Sequence, residues 1–395
     1  MIIRALPLHL ASATMLRVSA EGVATALVLT VQARTGNAAT AGYLQTAMTL
    51  PYVLSGPVIG NVLDRVRRPR RVAVALAACY AVATGVLLAT AGRSPLVLAL
   101  GVATVIGCTE PIVVALTSLL PRFVPAGRLS RAYGLEASSY NLAGIAGPGL
   151  AAALAALAGG GYAGTAVVAV GVVGLLTLPL LPFPGPDAEV EARGRAGVGS
   201  MITGGLVVLA EGRVLRALTA ATTLAWTGFG GIAVTAVLLA EHIGAAPSAG
   251  GRLLVALAAG SLIGSLASSR WLTPKHAEPV MLAGLVAFGA ALAALAVTPS
   301  VPWATAAFVA AGIAEGPVFA ATLMLRQRES PPDRLGQVNT TAGSLKIGAS
   351  ALGAALTAAA AGAIGPVGLV LAIAAFQFAG AAVGWTLLRL PADGP

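Results

Sequence analysis

Apolar blocks of roughly 20 to 25 residues alternate with short polar or Pro/Gly-rich signals along the whole chain, the length one helix needs to cross a bilayer core. Read between those signals, the blocks predict helices near residues 9–32, 40–63, 72–91, 95–120, 133–157 and 160–182, then 214–240, 248–270, 279–298, 302–325, 337–362 and 365–388. The one long interruption, 183–213, opens with Pro-Phe-Pro-Gly-Pro-Asp from Pro182 and continues with acids, arginines and glycines, dividing the chain six helices and six. Ala11-Ser12-Ala13 has the outline of a signal-peptidase site, but apolar sequence runs on through Val31, which predicts an uncleaved first helix. A porin-type barrel would instead alternate polar and apolar residues in segments of about ten.

Composition sharpens this reading. Of 395 residues, 57% are hydrophobic and 10% charged, against about 25% charged in a soluble domain, and the mean hydropathy is +0.89. Twelve crossings use about 240 residues, which leaves no room for a large extramembrane catalytic module. The 49 glycines suit closely approaching membrane helices. The net charge of +10 is a matter of topology. Arg65, Arg67, Arg68, Arg70 and Arg71 stand between two apolar runs with no interleaved aromatics, so nucleic acid is not an expected partner. With the N-terminus inside, the inner loops and tails hold nineteen basic residues and the outer loops only Arg34, Arg93 and Arg252. Both termini are therefore expected in the cytoplasm, in a multi-pass protein of the cell membrane.

Enzyme chemistry finds no foothold. Neither Lys275 nor Lys346 follows a glycine, so no P-loop is present. His9, His242 and His276 lie in separate regions, and Cys79 and Cys108 have no metal-ligand spacing. The cysteines read as buried, reduced packing residues. A non-enzyme with no cofactor and no metal is expected, drawing its energy from a gradient or from a partner and acting as a monomer in the lipid bilayer.

The two halves repeat. Glu110-Pro111, Leu120-Pro121 and Val124-Pro125-Ala126-Gly127-Arg128-Leu129 return in outline as Glu315-Gly316-Pro317 and Ser330-Pro331-Pro332-Asp333-Arg334-Leu335, at an offset of about 206. Parallel repeats of this kind are one pattern of secondary transporters, whose substrate site lies between repeats near the bilayer midplane.

Gly60-Asn61-Val62-Leu63-Asp64-Arg65-Val66-Arg67-Arg68, closing the second span, resembles the loop 2-3 signature of the major facilitator superfamily, with Arg67 where the family has glycine. The echo in the second half, Ser268-Ser269-Arg270, lacks the acid. The resemblance implies an all-α integral membrane fold of twelve transmembrane helices in two pseudo-symmetric six-helix bundles, 1–182 and 214–395, joined by a cytoplasmic linker at 183–213. It also implies a gating latch built from Gly60, Asp64, Arg65 and Arg68 that favours the outward-open state, whereas Arg67, Arg70 and Arg71 set topology. In the fifth span, Gly134, Ala143, Gly147-Pro148, Ala151 and Ala152 resemble the antiporter signature of drug-exporting facilitators, with alanine at three of its small positions. Small residues there permit close packing, and the proline a bend. Leu120-Pro121-Arg122-Phe123-Val124-Pro125 through Arg131-Ala132, with Thr35-Gly36, is similar to the branch of macrolide-efflux and enterobactin-exporter-like proteins. Many proton-coupled drug exporters carry an arginine in the fourth span; this chain has Glu110.

Ionisable groups inside a bilayer are costly and mark function by default. Arg17, Glu21, Glu110, Glu136, Glu315 and Lys346 are the candidates. Arg17 and Glu21 stand four apart on one helical face, placed to pair or to take part in coupling. Glu110 and Glu315 occupy equivalent places beside prolines, where a carboxyl that gains and loses a proton can also attract substrate. Glu136 lies near a helix end and is expected to snorkel. Lys346 is a carboxylate partner or an anion-binding group. Tyr140, Asn141, Gln45, Trp226, Phe229 and Gln377 are candidate path-lining residues. Four acids against two bases leave only a slight bias toward cations or neutral lipophiles.

The expected function is export of small amphipathic or lipophilic molecules, such as drugs or secondary metabolites, by proton antiport with alternating access. Its partners are the small-molecule substrate and protons. The alternatives are a facilitator importing a nutrient and a non-transporting membrane receptor.

Overall fold

A computed structural model describes residues 5–36, 39–181, 198–246 and 248–390. The expected spans are all present as helices: α1 (Ala5–Thr35), α2 (Ala39–Arg65), α3 (Pro69–Thr90), α4 (Leu96–Phe123), α5 (Leu129–Ala158) and α6 (Ala163–Thr177). A short helix not expected from the sequence, α7 (Val198–Glu211), occupies the second part of the linker; its first part, 183–197, and Arg4 lie outside the described residues. Then come α8 (Arg213–His242), α9 (Ser248–Trp271), α10 (Ala277–Ala293) and α11 (Val301–Glu329). The last stretch, Leu335–Arg389, breaks at Gly365, whose φ of 64° and ψ of 178° fit no helix. Pro366 follows, and the break separates α12 (335–364) from α13 (366–389). Ala11–Ala13 lie well within α1, with Ser12 and Ala13 buried.

These residues pack as two compact units. The first comprises Met1–Ala126, Leu142–Leu206 and Pro331–Ser344, and the second Gly127–Asn141, Val207–Ser330 and Leu345–Pro395. The N-terminal turns of α5 and α12 therefore pack with the opposite half of the sequence from the rest of each helix. Each unit has its own apolar core, around Leu27, Leu44, Leu87 and Ile106 in the first and Leu253, Phe288, Phe308 and Ile373 in the second.

Helices approach through glycine. In the first unit a Cβ at Gly107 of α4 would overlap the Met48 carbonyl of α2, and in the second a Cβ at Gly312 of α11 would overlap the Leu257 carbonyl of α9. Each of these glycines precedes its glutamate, Glu110 or Glu315, by three residues, a repeat detail that the motif comparison does not show. Prolines bend the same region. Pro111 donates no N–H to the Gly107 carbonyl, and Ser55 of α2 donates to that oxygen instead at 3.2 Å. The Ile313 carbonyl, released by Pro317, abuts Gly264 so closely that no side chain fits there.

Two expectations change here. Cys79 and Cys108 are free and exposed rather than buried. They share helical faces with the exposed Val82, Val86 and Val105, and on a membrane protein such faces meet lipid, so an apolar flank does not imply burial. Gln377, expected to line a path, is buried, and its amide donates to the Ala225 carbonyl at 2.9 Å, stapling α13 to α8.

Candidate functional site

In the first unit α1 carries Arg17 and Glu21 toward α4. Arg17 is 1% exposed, and its guanidinium donates to Thr117 Oγ1 at 3.1 Å and to the Val113 carbonyl at 3.4 Å, oxygens of the stretch just after the break at Glu110–Pro111. Glu21 is exposed and close enough to Glu110 for their charges to interact, and the buried Tyr80 hydroxyl of α3 feels both. Close packing sets this register: a Cβ at Gly147 of α5 would stand 2.6 Å from the Gly22 nitrogen and the Val18 carbonyl oxygen. Glu110 thus has the Glu21 carboxyl as its charged neighbour.

The second unit gathers a different group. A Cβ at Gly230 or Gly353 would overlap the Ser350 or Thr227 carbonyl, so α8 and α12 run in backbone contact. That approach brings Lys346 of α12 over Trp226 of α8, with Nζ 3.5 Å from the ring centroid and 4.4 Å from that of Phe319 on α11. Tyr140 of α5 meets Phe319 edge-on at 5.3 Å, and Phe229 tilts against Trp226 at 4.6 Å. Glu315, one turn before Phe319, interacts with the Lys346 charge and accepts a hydrogen bond from Ser261 of α9. Lys346 is thus both a carboxylate neighbour and a resident of an aromatic box. An ammonium held over two rings gains about 0.5–2 kcal/mol from their quadrupoles.

A third constellation lies at the end of α2. Asp64 is 2% exposed, and its two carboxylate oxygens accept from the Gly336 and Gln337 N–H groups at 3.0 and 2.9 Å. These are orphan donors of the first turn of α12, where a carboxylate also meets the positive end of the helix dipole. Arg122 stands 3.5 Å from Asp64 Oδ1. Asn61 donates to Gln337 Oε1 at 3.2 Å, and the Gln337 amide donates to the Ser200 and Met201 carbonyls of α7 at 3.0 and 2.9 Å. Gly60 has no room for a Cβ against the Gly336 carbonyl. The expected latch residues Gly60 and Asp64 are therefore joined to α12, Arg65 is half-buried, and Arg68 is exposed.

A family model for the Major Facilitator Superfamily matches residues 10–225. The chain belongs to that superfamily. An uncharacterized transporter of the same type from Sinorhizobium fredii is 28% identical over 355 residues, covering 88% of this chain and 86% of that one. Among solved structures, the human organic anion transporter MFSD10 superposes with a TM-score of 0.81 at 15% identity, covering 97% of this chain and 99% of the other. A bacterial homologue of the iron transporter ferroportin, in an outward-facing state, gives 0.71 at 16% identity over 97% and 99%. At these identities the two structures speak for the fold alone. This facilitator is a multi-pass membrane transporter, and its family and relatives are transporters rather than enzymes.

Within the facilitator fold, the second-half echo of the latch takes a neutral form. Gly134 of α5 has no room for a Cβ against Ser269, Ser138 donates to Ser265 Oγ at 3.0 Å, and Asn141 donates to the Ser261 carbonyl and Ser265 Oγ at 3.0 and 3.2 Å. Asn141 is thus engaged in joining α5 to α9. Gly134 and Gly147 are both close-contact positions, whereas Gly144 and Gly149 face open space; Pro148 lies inside α5. Gln45 donates to the Ala24 carbonyl at 3.3 Å, tying α2 to α1.

Glu136, expected to snorkel, is completely buried beside Tyr133 and is not without a partner. The helix extends beyond the span its apolar run suggested, starting at Leu129, so Glu136 falls two turns inside it. Three further residues escaped the sequence reading. Arg122 faces Asp64, Gln337 ties α12 to α7, and Arg326, counted with the loop arginines, lies inside α11 at 7% exposure. Their signal was weak because each sits at the edge of an apolar run, Arg122 and Arg326 just past an end and Gln337 at a start.

Proposed function

We propose that this facilitator exports small amphipathic or lipophilic compounds across the cell membrane, by alternating access, in exchange for protons entering the cell. The observation that carries the reading is the placement of Glu110 and Glu315, each three residues after a wedged glycine and each beside a second charge, Glu21 or Lys346. A carboxyl so held can be occupied by a proton or interact with substrate, and exclusive occupancy couples the two fluxes. The distribution of arginines supports cytoplasmic termini. The exporter branch is supported by the signature around Gly147-Pro148 and by the run from Leu120 to Ala132.

The test is proton movement in proteoliposomes with an internal pH-sensitive dye and an imposed gradient, challenged with lipophilic cations, macrolides and neutral sugars. Substrate-evoked proton release is expected from the wild type. Glu110→Gln and Glu315→Gln are each expected to reduce it at least about tenfold, about 1.4 kcal/mol of lost coupling, with substrate binding retained. Undiminished proton release in the double variant would overturn the proposal.

A further inference from the structure

Arg326 is a buried charge that the proposed function leaves unused. It lies one turn from the end of α11, yet it does not reach out to water: the residue is 7% exposed, and its Nε has no hydrogen-bond partner among the described residues. Its electrostatic neighbour is the Tyr140 hydroxyl rather than an acid. Glu136, one turn before Tyr140 on α5, has interactions of its own. A guanidinium withdrawn from water costs several kcal/mol unless an anion meets it, and ionisable groups within membrane bundles mark substrate and ion paths by default.

The residues of α11 that face this group form a stripe. Glu315, Phe319 and Arg326 are spaced four and seven apart, which keeps them on one face, and at 1.5 Å per residue Phe319 lies about 10 Å along the axis from Arg326. Phe319 in turn touches Tyr140 and stands under the Lys346 ammonium shared with Trp226. One end of the stripe therefore offers a fork of donors suited to a carboxylate or similar oxyanion. The other offers an aromatic box whose cation position Lys346 already fills, which removes the ready site for a cationic substrate and reverses the slight bias read from charge counting.

We propose that Arg326 anchors the acidic group of an amphipathic organic anion whose lipophilic body, about 10 Å long, extends along α11 to Tyr140, Phe319 and Trp226. The inference rests on the transport reading above and names its substrate class.

The decisive measurement is equilibrium binding to the full chain in lipid nanodiscs, using 6-(2-naphthyl)hexanoate, its uncharged primary amide and 6-(2-naphthyl)hexylamine. The wild type is expected to bind the carboxylate at least tenfold more tightly than the amide, and the amine most weakly. In Arg326→Gln the carboxylate loses that tenfold advantage while amide affinity is unchanged; Arg326→Lys keeps part of it. Equal binding of carboxylate and amide by the wild type, or a preference that survives in Arg326→Gln, overturns the site. Should Arg326→Gln fail to fold, undiminished selectivity in Arg326→Lys together with no competition by a short aliphatic carboxylate such as butanoate overturns it. The proton-release assay separates the two readings. Carboxylate binding without proton movement discards the antiport and keeps the site, whereas proton movement evoked only by cations or neutral compounds does the reverse.

Discussion

Replacing Asp64 with asparagine is expected to cut transport at least tenfold while the protein remains folded. The carboxylate has two oxygens, and each accepts one N–H from the first turn of α12. An amide keeps one oxygen and turns an NH2 toward the second N–H, so one charge-assisted bond is lost outright and the other is weakened. The attraction to the helix dipole and to Arg122 disappears with the charge. Hydrogen bonds to charged groups contribute about 1.5–3 kcal/mol each, so the variant gives up about 2–4 kcal/mol of whichever conformation the latch holds. A two-state equilibrium moves tenfold for each 1.4 kcal/mol, enough to move a facilitator off its working balance. Thiol labelling provides the structural readout. With Cys79 and Cys108 replaced by alanine, a cysteine introduced at Thr340, buried against Gly60, stays unlabelled when Asp64 is present and becomes reactive when it is asparagine. Unchanged labelling together with unchanged transport refutes the latch.

Gly312→Val is expected to yield no folded protein. Gly312 and Gly316 of α11 face Gly260 and Gly264 of α9, two glycine pairs each spaced by four, and a Cβ at any of the four would run into backbone of the opposite helix. Backbone cannot rotate aside as a long side chain can. The helices must separate, forfeiting the packing of α9 on α11 and the hydrogen bond from Ser261 to Glu315. Overpacking a well-filled interface costs about 1–3 kcal/mol even when side chains can adjust, and membrane helices have little hydrophobic driving force between them to offset it. Size-exclusion chromatography of the solubilised protein reports the result as loss of the monodisperse peak. Gly251→Val is the matched control, because Gly251 of the same α9 faces open space. A normal peak from Gly312→Val would mean that the close approach is not needed.

The twelve spans were legible because hydrocarbon thickness imposes a single length on every apolar run, and α1 to α6 and α8 to α13 follow those runs to within a few residues. The helix α7 was not, because its small and apolar residues, such as Gly204 and Gly205, are shaped to fit Gln337 and Thr341 of α12 rather than to cross a bilayer. Among functional residues, the sequence exposed the rare charges deep inside apolar runs, such as Glu110, Glu315 and Lys346. It concealed Arg326 and Arg122, which follow ends of apolar runs, where an arginine in an interfacial loop and one folded inward look alike. Partners were harder still. That Asp64 meets the N–H groups of Gly336 and Gln337 depends on a contact across 272 and 273 positions of chain, which no local pattern encodes. The cation–π box was half visible: Trp226 and Lys346 were candidates, but their meeting depends on Gly230 and Gly353 drawing two backbones together.

The two copies of the latch have diverged in chemistry. Where α2 grips α12 with a buried carboxylate, α9 and α5 meet through serine hydroxyls, an asparagine amide and a glycine contact. Parting the first gives up charge-assisted bonds, and parting the second only neutral ones, each worth about half as much. A transport cycle that opens them in turn is kinetically lopsided. Such a cycle is expected to be slowest and most temperature-dependent at the step that parts Asp64 from α12, and quicker at the step that parts the neutral contact of α5 with α9.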